Sequence, residues 1–334
     1  MLNLLKILCE ADAPSGNESA LHNTVINEIK DYCEYFTDAS GNIIAHKKGE
    51  KVPAKKIMVD AHLDEIGIII SGVTADGFLK FSTIGGISPE VLFCKRVKIG
   101  DIIGVIGAKP IHLTHGDEGK KCPKTDAMYI DIGAKSKEEA LSTVSLGDTG
   151  VIMSEFELCG DFIKSKALDD RVGCAVLIKL IQNYSEYDFY ATFTAGEEIG
   201  CRGAKTAAFT VAPDYALVLE CTTAADIEGS NDTNCVCKLG YGPAISFMDK
   251  STLYNREFYL AAINSGVKCQ TKTAVTGGNN SGAIHQSGSG VKTLAISVPC
   301  RYIHSANSVA NSEDIKNAYE LAATMLSKIG AGEI

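Results

Sequence analysis

Four short segments of the chain concentrate side chains that ligate divalent metals: His62-Leu63-Asp64-Glu65, Leu168-Asp169-Asp170-Arg171, Gly196-Glu197-Glu198-Ile199-Gly200 and Arg301-Tyr302-Ile303-His304-Ser305. Glu220 is a fifth feature, directly after the apolar run Ala216-Leu217-Val218-Leu219. Imidazoles and carboxylates without a thiolate among them suit zinc, cobalt or manganese in a hydrolytic site better than a structural zinc. Two such ions, about 3.5 to 4 Å apart, polarise a scissile carbonyl and generate hydroxide from water near neutral pH. That chemistry needs one carboxylate to bridge the ions and a further one, not a ligand, to move a proton. Taken singly, each feature has an ordinary reading: a histidine closing a strand, an Asp-Asp helix cap, a solvated Glu-Glu turn. Five of them in this order, each at the edge of an apolar element, form the pattern of a binuclear site.

The elements that must position these groups are legible around them. Lys56-Ile57-Met58-Val59-Asp60-Ala61 reads as a buried strand running straight into His62, and strand ends are where open α/β sheets place their chemistry. Leu21, Val25, Ile26 and Ile29 recur at helical spacing after the Ser15-Gly16-Asn17 turn, predicting an opening helix. From about Ile66 to Asp161 the texture changes to short β-branched runs separated by turns at Gly72, Gly77, Gly85-Gly86, Gly100 and Gly104, which predicts a small barrel or sandwich. Beyond Lys166 the α/β pattern returns, with a helix from Asp170 through Ile181 and strands at Phe189 to Phe193, Ala216 to Leu219 and Thr293 to Val298. Ile315, Ala318, Ala322, Met325 and Ile329 then form one stripe of a last helix that Asn311 or Ser312 can cap. The simplest architecture is a discontinuous α/β domain, residues 1–65 and 162–334, interrupted by an all-β insert at 66–161.

Composition narrows the function classes. The chain of 334 residues is long enough for one large domain plus a smaller one. A formal net charge of -9 gives no basic excess for nucleic acid or an anionic membrane, so neither is expected as a partner. No apolar run approaches the roughly 20 residues of a spanning helix, and no signal-peptide pattern opens the chain. The 12 cysteines scatter along the whole length, several within apolar stretches, as free buried thiols of a reducing compartment do. A cytoplasmic location is expected.

Asp60-Ala61-His62-Leu63-Asp64-Glu65-Ile66-Gly67, Lys109-Pro110-Ile111-His112-Leu113, Lys166 to Cys174, Ala195-Gly196-Glu197-Glu198-Ile199-Gly200 and Arg301-Tyr302-Ile303-His304-Ser305 together make the chain resemble the co-catalytic metallo-aminopeptidases, which include glutamyl aminopeptidases and the tetrahedral TET peptidases. The resemblance runs over essentially the whole chain. It implies a mixed-sheet, phosphorylase/hydrolase-like catalytic domain with an inserted β-barrel, and hydrolysis of N-terminal residues from short peptides with a free N-terminus. It further implies two divalent ions, with Asp169 bridging them, His62 and Glu220 completing one site and Glu198 and His304 the other. Glu197 would be the general base and Asp64 would orient His62. Replacing Glu197 by Gln is then expected to leave the metals bound and reduce turnover severely. Homo-oligomers, often dodecamers, are implied as well, with the insert serving assembly or access.

Two departures from the family pattern stand out. The family often has Asp where Glu220 stands, and Thr-Asp is expected after the Gly277-Gly278 pair where this chain has Asn279-Asn280. Lys250, Arg202 and Arg301 are cations that could meet an acidic substrate. The competing functions are a related binuclear deacylase or carboxypeptidase, which a blocked N-acyl substrate would reveal, and a non-catalytic scaffold, whose signature would be loss of a ligand or of the base.

Overall fold

Four apolar strands can lie side by side only where both of their faces are covered, and the middle of the large sheet is built that way. Phe189–Thr194, Ile57–His62, Tyr215–Thr223 and Lys292–Arg301 are adjacent and parallel, with nearly every residue buried. In this computed structural model the described residues are 1–334 apart from 115, 117–119 and 231–234. Antiparallel strands extend the sheet on both sides: Ile43–Lys47 and Glu34–Thr37 beyond Phe189–Thr194, and Ser308–Asn311, Phe162–Ser165 and Glu157–Cys159 beyond Lys292–Arg301. Two short strands, Ala244–Ile245 and Gln270–Thr271, complete its 11 strands among the described residues.

The helix Leu168–Asn183 is apolar around almost its whole circumference, because it packs on Ile57–His62 and Tyr215–Thr223 and is itself covered by other helices. Those covers are the first helix, Leu2–Glu10, the helix Ser19–Ile29 and the last helix, Ser312–Gly330. Leu2–Glu10 was not visible as an element in the sequence; it is short, and buries Leu4, Leu5, Leu8 and Cys9. The last helix begins where its apolar stripe predicts, with the Asn311 side chain accepting from the Glu313 amide at 2.8 Å.

The second unit is a closed barrel of six antiparallel strands in the order Gly67–Val73, Leu79–Ile84, Tyr129–Asp131, Ile102–Gly107, Arg96–Ile99 and Thr149–Ile152. Its interior is separate from the main core and is formed by alternating residues such as Ile68, Ile70, Leu79, Phe81, Val97, Ile106 and Ile130. Two glycines expected at turns lie inside strands instead. Gly72 falls where the register of Gly67–Val73 slips by a bulge, and Gly104 sits where a β-carbon would come within 2.5 Å of the Ile130 side chain. Glycine thus marks a bulge and a close approach here, as well as turns. After Ile152 the chain re-enters the large sheet with Glu157–Cys159.

Candidate metal centre

The C-terminal ends of the parallel strands converge on one rim of the sheet, with side chains suited to metal binding on them or just beyond; Glu220 lies inside Tyr215–Thr223 rather than after a strand ending at Leu219. His62 is the last residue of its strand and is 1% exposed. Its Nε2 lies 3.4 Å from Asp169 Oδ1 and 3.4 Å from Glu220 Oε1. His304, in the turn after Lys292–Arg301, places its Nε2 3.4 Å from Asp169 Oδ2 and 3.4 Å from Glu198 Oε1. The ligand atoms thus form two groups, His62/Asp169/Glu220 and Asp169/Glu198/His304, each with all its atoms within 4.8 Å of one another. Asp169 belongs to both and turns one oxygen to each.

Hydrogen bonding on the far side of each imidazole decides what these groups can hold. His62 Nδ1 is 2.9 Å from the Asp64 carbonyl oxygen, and His304 Nδ1 is 3.0 Å from the Gly86 carbonyl oxygen. A carbonyl only accepts, so each Nδ1 carries a proton, which leaves each Nε2 as the ring atom that can turn a lone pair to a cation. The 3.4 Å separations are longer than an ordinary charge-assisted hydrogen bond, so the imidazoles and carboxylates do not satisfy one another closely. Asp169 Oδ1 is buried with no hydrogen-bond partner among the described residues. The donor set therefore fits a cation in each group: nitrogen and oxygen ligands, a shared carboxylate and an orphaned buried oxygen.

Electrostatics point the same way. Burial, and then the charge of Asp169, push the Glu220 carboxyl well above its ordinary range and raise Glu198 to about 8. His304 is raised to about 9, chiefly by its contact with Asp169 and against the effect of burial. Asp169 is held down because its contacts with His304 and His62 outweigh its burial. Burial also raises Glu197, with the Asp169 and Asp64 charges adding to it. So many carboxylates in so small a volume call for positive charge.

The two aspartates of Asp169-Asp170 divide their work, and the peptide between them is cis. Asp170 turns inward, accepting from the Gly173 amide at 2.8 Å in the manner of a helix cap and from the His62 amide at 3.2 Å. Asp169 is left free for the cluster. The Asp64 carboxylate is 3.4 Å from His62 Nδ1, and it accepts from the backbone amides of Glu197 at 2.9 Å and Glu198 at 3.1 Å and from the Ser15 hydroxyl at 2.6 Å. One side chain thus ties the strand-end histidine to the loop bearing both glutamates. Beneath it, buried Glu65 accepts from Lys166 at 2.8 and 2.9 Å, from Arg171 at 2.9 Å and from the Ala13 amide at 3.0 Å.

A cleft of about 310 Å³ opens over the cluster, lined by Asp169, Glu197, Glu220 and His304 together with Thr222, Asn279 and Lys272. The cations singled out in the sequence lie elsewhere. Arg301 is bound by both oxygens of Asp226 at 2.8 and 2.7 Å, Arg202 donates to the Ile199 carbonyl at 3.2 Å, and Lys250 is exposed. Lys272, which no local pattern marks, is the cation at the cleft. Of the two asparagines, Asn279 lines the cleft while Asn280 points into the protein, donating to Asp60 and to Thr194 at 2.8 Å each. The Gly86 carbonyl was likewise beyond sequence reasoning, since a backbone oxygen carries no residue signature.

Fold and cluster define a metallopeptidase. The chain belongs to the M42 glutamyl aminopeptidase family, whose model matches residues 41–321. A relative from Acetivibrio thermocellus is 40% identical over 328 residues, covering 96% of this chain and 97% of its own. The TET aminopeptidase of Thaumarchaeota archaeon SCGC AB-539-E09 superposes with a TM-score of 0.94 at 33% identity, over 100% of this chain and 98% of that one. The Pyrococcus horikoshii TET1 peptidase, described as assembling into a tetrahedron or a large octahedral shell, gives a TM-score of 0.85 at 33% identity over 97% and 98% of the two chains. The protein is accordingly a hydrolase with the aminopeptidase activity of its family and the divalent-metal requirement that goes with it. Among the described residues no helix is long and apolar enough to cross a membrane.

Proposed function

We propose that this chain is a two-metal aminopeptidase that removes the N-terminal residue from short peptides, with Asp169 shared between the ions, His62 and Glu220 completing one site, and Glu198 and His304 the other. The observation that carries the reading is the Asp169 carboxylate, which offers one oxygen to each histidine at the same 3.4 Å separation. Two divalent ions, zinc, cobalt or manganese, would supply Lewis acidity toward the scissile carbonyl and lower the pKa of the attacking water.

The chain's own groups do the rest. The anionic cleft draws in the ammonium of a free N-terminus, which favours exopeptidase action. Glu197, raised by burial, takes the proton of the attacking water and returns it to the departing amine. Asp64 holds the Glu197-Glu198 backbone in register with His62, and the Asp64 and Gly86 carbonyls keep both imidazoles in the metal-ready tautomer.

Residues 1–65 and 162–334 form the catalytic domain in this reading, and the insert at 66–161 serves assembly or access. Likeness to the TET peptidases, one of them described as a dodecamer, supports a homo-oligomer, with a dodecamer as the reading for this chain. The described cysteines, Cys9 to Cys300, are all free thiols, which suits the cytoplasm.

The deciding experiment is hydrolysis of a panel of short peptides, free and N-acetylated, by purified protein before and after chelation and with each metal restored. Release of single residues from free peptides only, lost on chelation and regained with metal, is expected. Cleavage of the acetylated set alone would instead mean a deacylase, and silence from every metal-loaded sample a scaffold.

A further inference from the structure

Cys201 follows Glu197 by four residues, and its amide donates to the Glu197 carbonyl at 2.9 Å, so both side chains leave the same turn. Cys201 Sγ lies 3.4 Å from Glu197 Oε1. An ionised carboxylate only accepts, so the thiol is the donor. Burial, and then the charge of Glu197, raise this thiol far above its ordinary range, which keeps the proton on sulfur wherever Glu197 is ionised. Among the described residues this is the one side-chain hydrogen bond to the Glu197 carboxylate.

Asp64 fixes the Glu197 backbone, but a glutamate carboxylate still turns about three side-chain torsions. The thiol supplies the missing constraint. It does so from outside the catalytic cleft: Glu197 lines that cleft, whereas Cys201 lines a second cavity of about 740 Å³ beside Lys205 and Phe209, and Asn279 lines both. The Glu197–Cys201 pair spans the wall between the two spaces.

We propose that Cys201 is a positioning residue for the Glu197 carboxylate, its thiol tying down Oε1 so that the other oxygen is held for proton transfer. The inference rests on the reading of Glu197 as the base. Two measurements test it.

The first needs no substrate or metal. The infrared S–H stretch of Cys201, isolated as the difference between wild type and Cys201→Ala, is expected below the frequency of a non-donating thiol and should move up in Glu197→Gln. The second is kinetic. Cys201→Ala is expected to lower kcat roughly tenfold, a part of the 10²–10⁴ that a general base supplies, with KM changed less than about twofold. Cys201→Ser, which keeps a donor within reach of a slightly leaning carboxylate, should recover most of that loss, and Cys201→Ala should add nothing in a Glu197→Gln background.

An S–H band indifferent to Glu197→Gln, a Cys201→Ala enzyme with wild-type kcat, or Ala and Ser variants equally slow would each overturn the proposal. A normal band shift in a protein whose turnover survives Glu197→Gln would overturn it differently, by showing a real contact to a residue that is not the base.

Discussion

The Asn280 amide nitrogen sits 2.8 Å from an Asp60 carboxylate oxygen, with both residues essentially inaccessible to solvent. Where the family pattern leads one to expect an aspartate, this chain has the amide that its own buried Asp60 requires. The departure is thus answered within the core, away from the substrate cleft.

Asn280→Asp would set two carboxylates against each other in a dry site. Burial already raises Asp60 to about 6, despite hydrogen bonds from Thr192 and Asn280. A carboxyl raised on folding contributes stability that is present below its unfolded pKa, about 3.9, and is lost as pH rises through the folded value. The variant is expected to lose about 3 kcal/mol or more near pH 7.5. It should recover part of that as the pH is lowered toward 5, whereas Asp60→Asn combined with Asn280→Asp should fold nearly normally at both. Denaturant titrations at the two pH values decide the matter, and an Asn280→Asp single variant as stable as wild type at pH 7.5 would refute it.

Removing the shared carboxylate should abolish both ion sites at once. Wild type at a zinc concentration about 100-fold above Kd for both sites should gain about 2.7 kcal/mol of unfolding free energy per ion, roughly 5 in all, over the chelated protein. Asp169→Asn should gain little, and elemental analysis should find less than half of the wild-type metal. Full metal content in that variant would mean that Asp169 is not the bridge.

Glu65 compensates two buried cations, Lys166 and Arg171, whose side chains are 7% and 0% exposed. Glu65→Ala leaves both charges without it, at a cost of about 3–5 kcal/mol measured by chemical denaturation. The replacement deletes no metal-ligand candidate, so its effect should appear in stability first. A loss below about 1 kcal/mol would show that water or rearrangement replaces the carboxylate.

Lys272 brings a lysine to a cleft otherwise lined by carboxylates, His304 and uncharged groups. Lys272→Ala is expected to lower kcat/KM for peptides beginning with Glu by about tenfold relative to those beginning with Ala, about 1.4 kcal/mol of discrimination. Equal losses on both substrates would assign Lys272 to general cleft architecture instead.

Much of this arrangement was legible in the chain because apolar strands run directly into polar motifs. Val59 to His62 and the stretch from Leu217 to Glu220 announce both the element and the group it presents. The split between Asp169 and Asp170 was legible only through the family resemblance, since either aspartate can cap a helix and only the tertiary fold brings His62 and His304 to the first of them. Lys272 has no local pattern around it, and it reaches the cleft through a two-residue strand, Gln270–Thr271, too short to carry a periodic signal. The barrel's glycines show the same limit: Gly77 has the positive φ of a turn at +86°, while Gly72 and Gly104, identical in one-letter terms, lie within strands.

One contact joins the two architectural units at the level of chemistry. Gly86 follows the barrel strand Leu79–Ile84, and its carbonyl holds His304 in the tautomer that offers Nε2 to a cation. Because that grip is made by backbone, no side-chain replacement can delete it; it is set only by where the barrel stands. If His304 holds a cation as proposed, that binding and the placement of the barrel are thermodynamically linked, and the linkage is reciprocal. A neighbouring subunit that steadied the barrel would then raise cation affinity at His304 by the same factor by which the bound ion raises that subunit's affinity. Assembly and metal loading would then report on one coupled equilibrium.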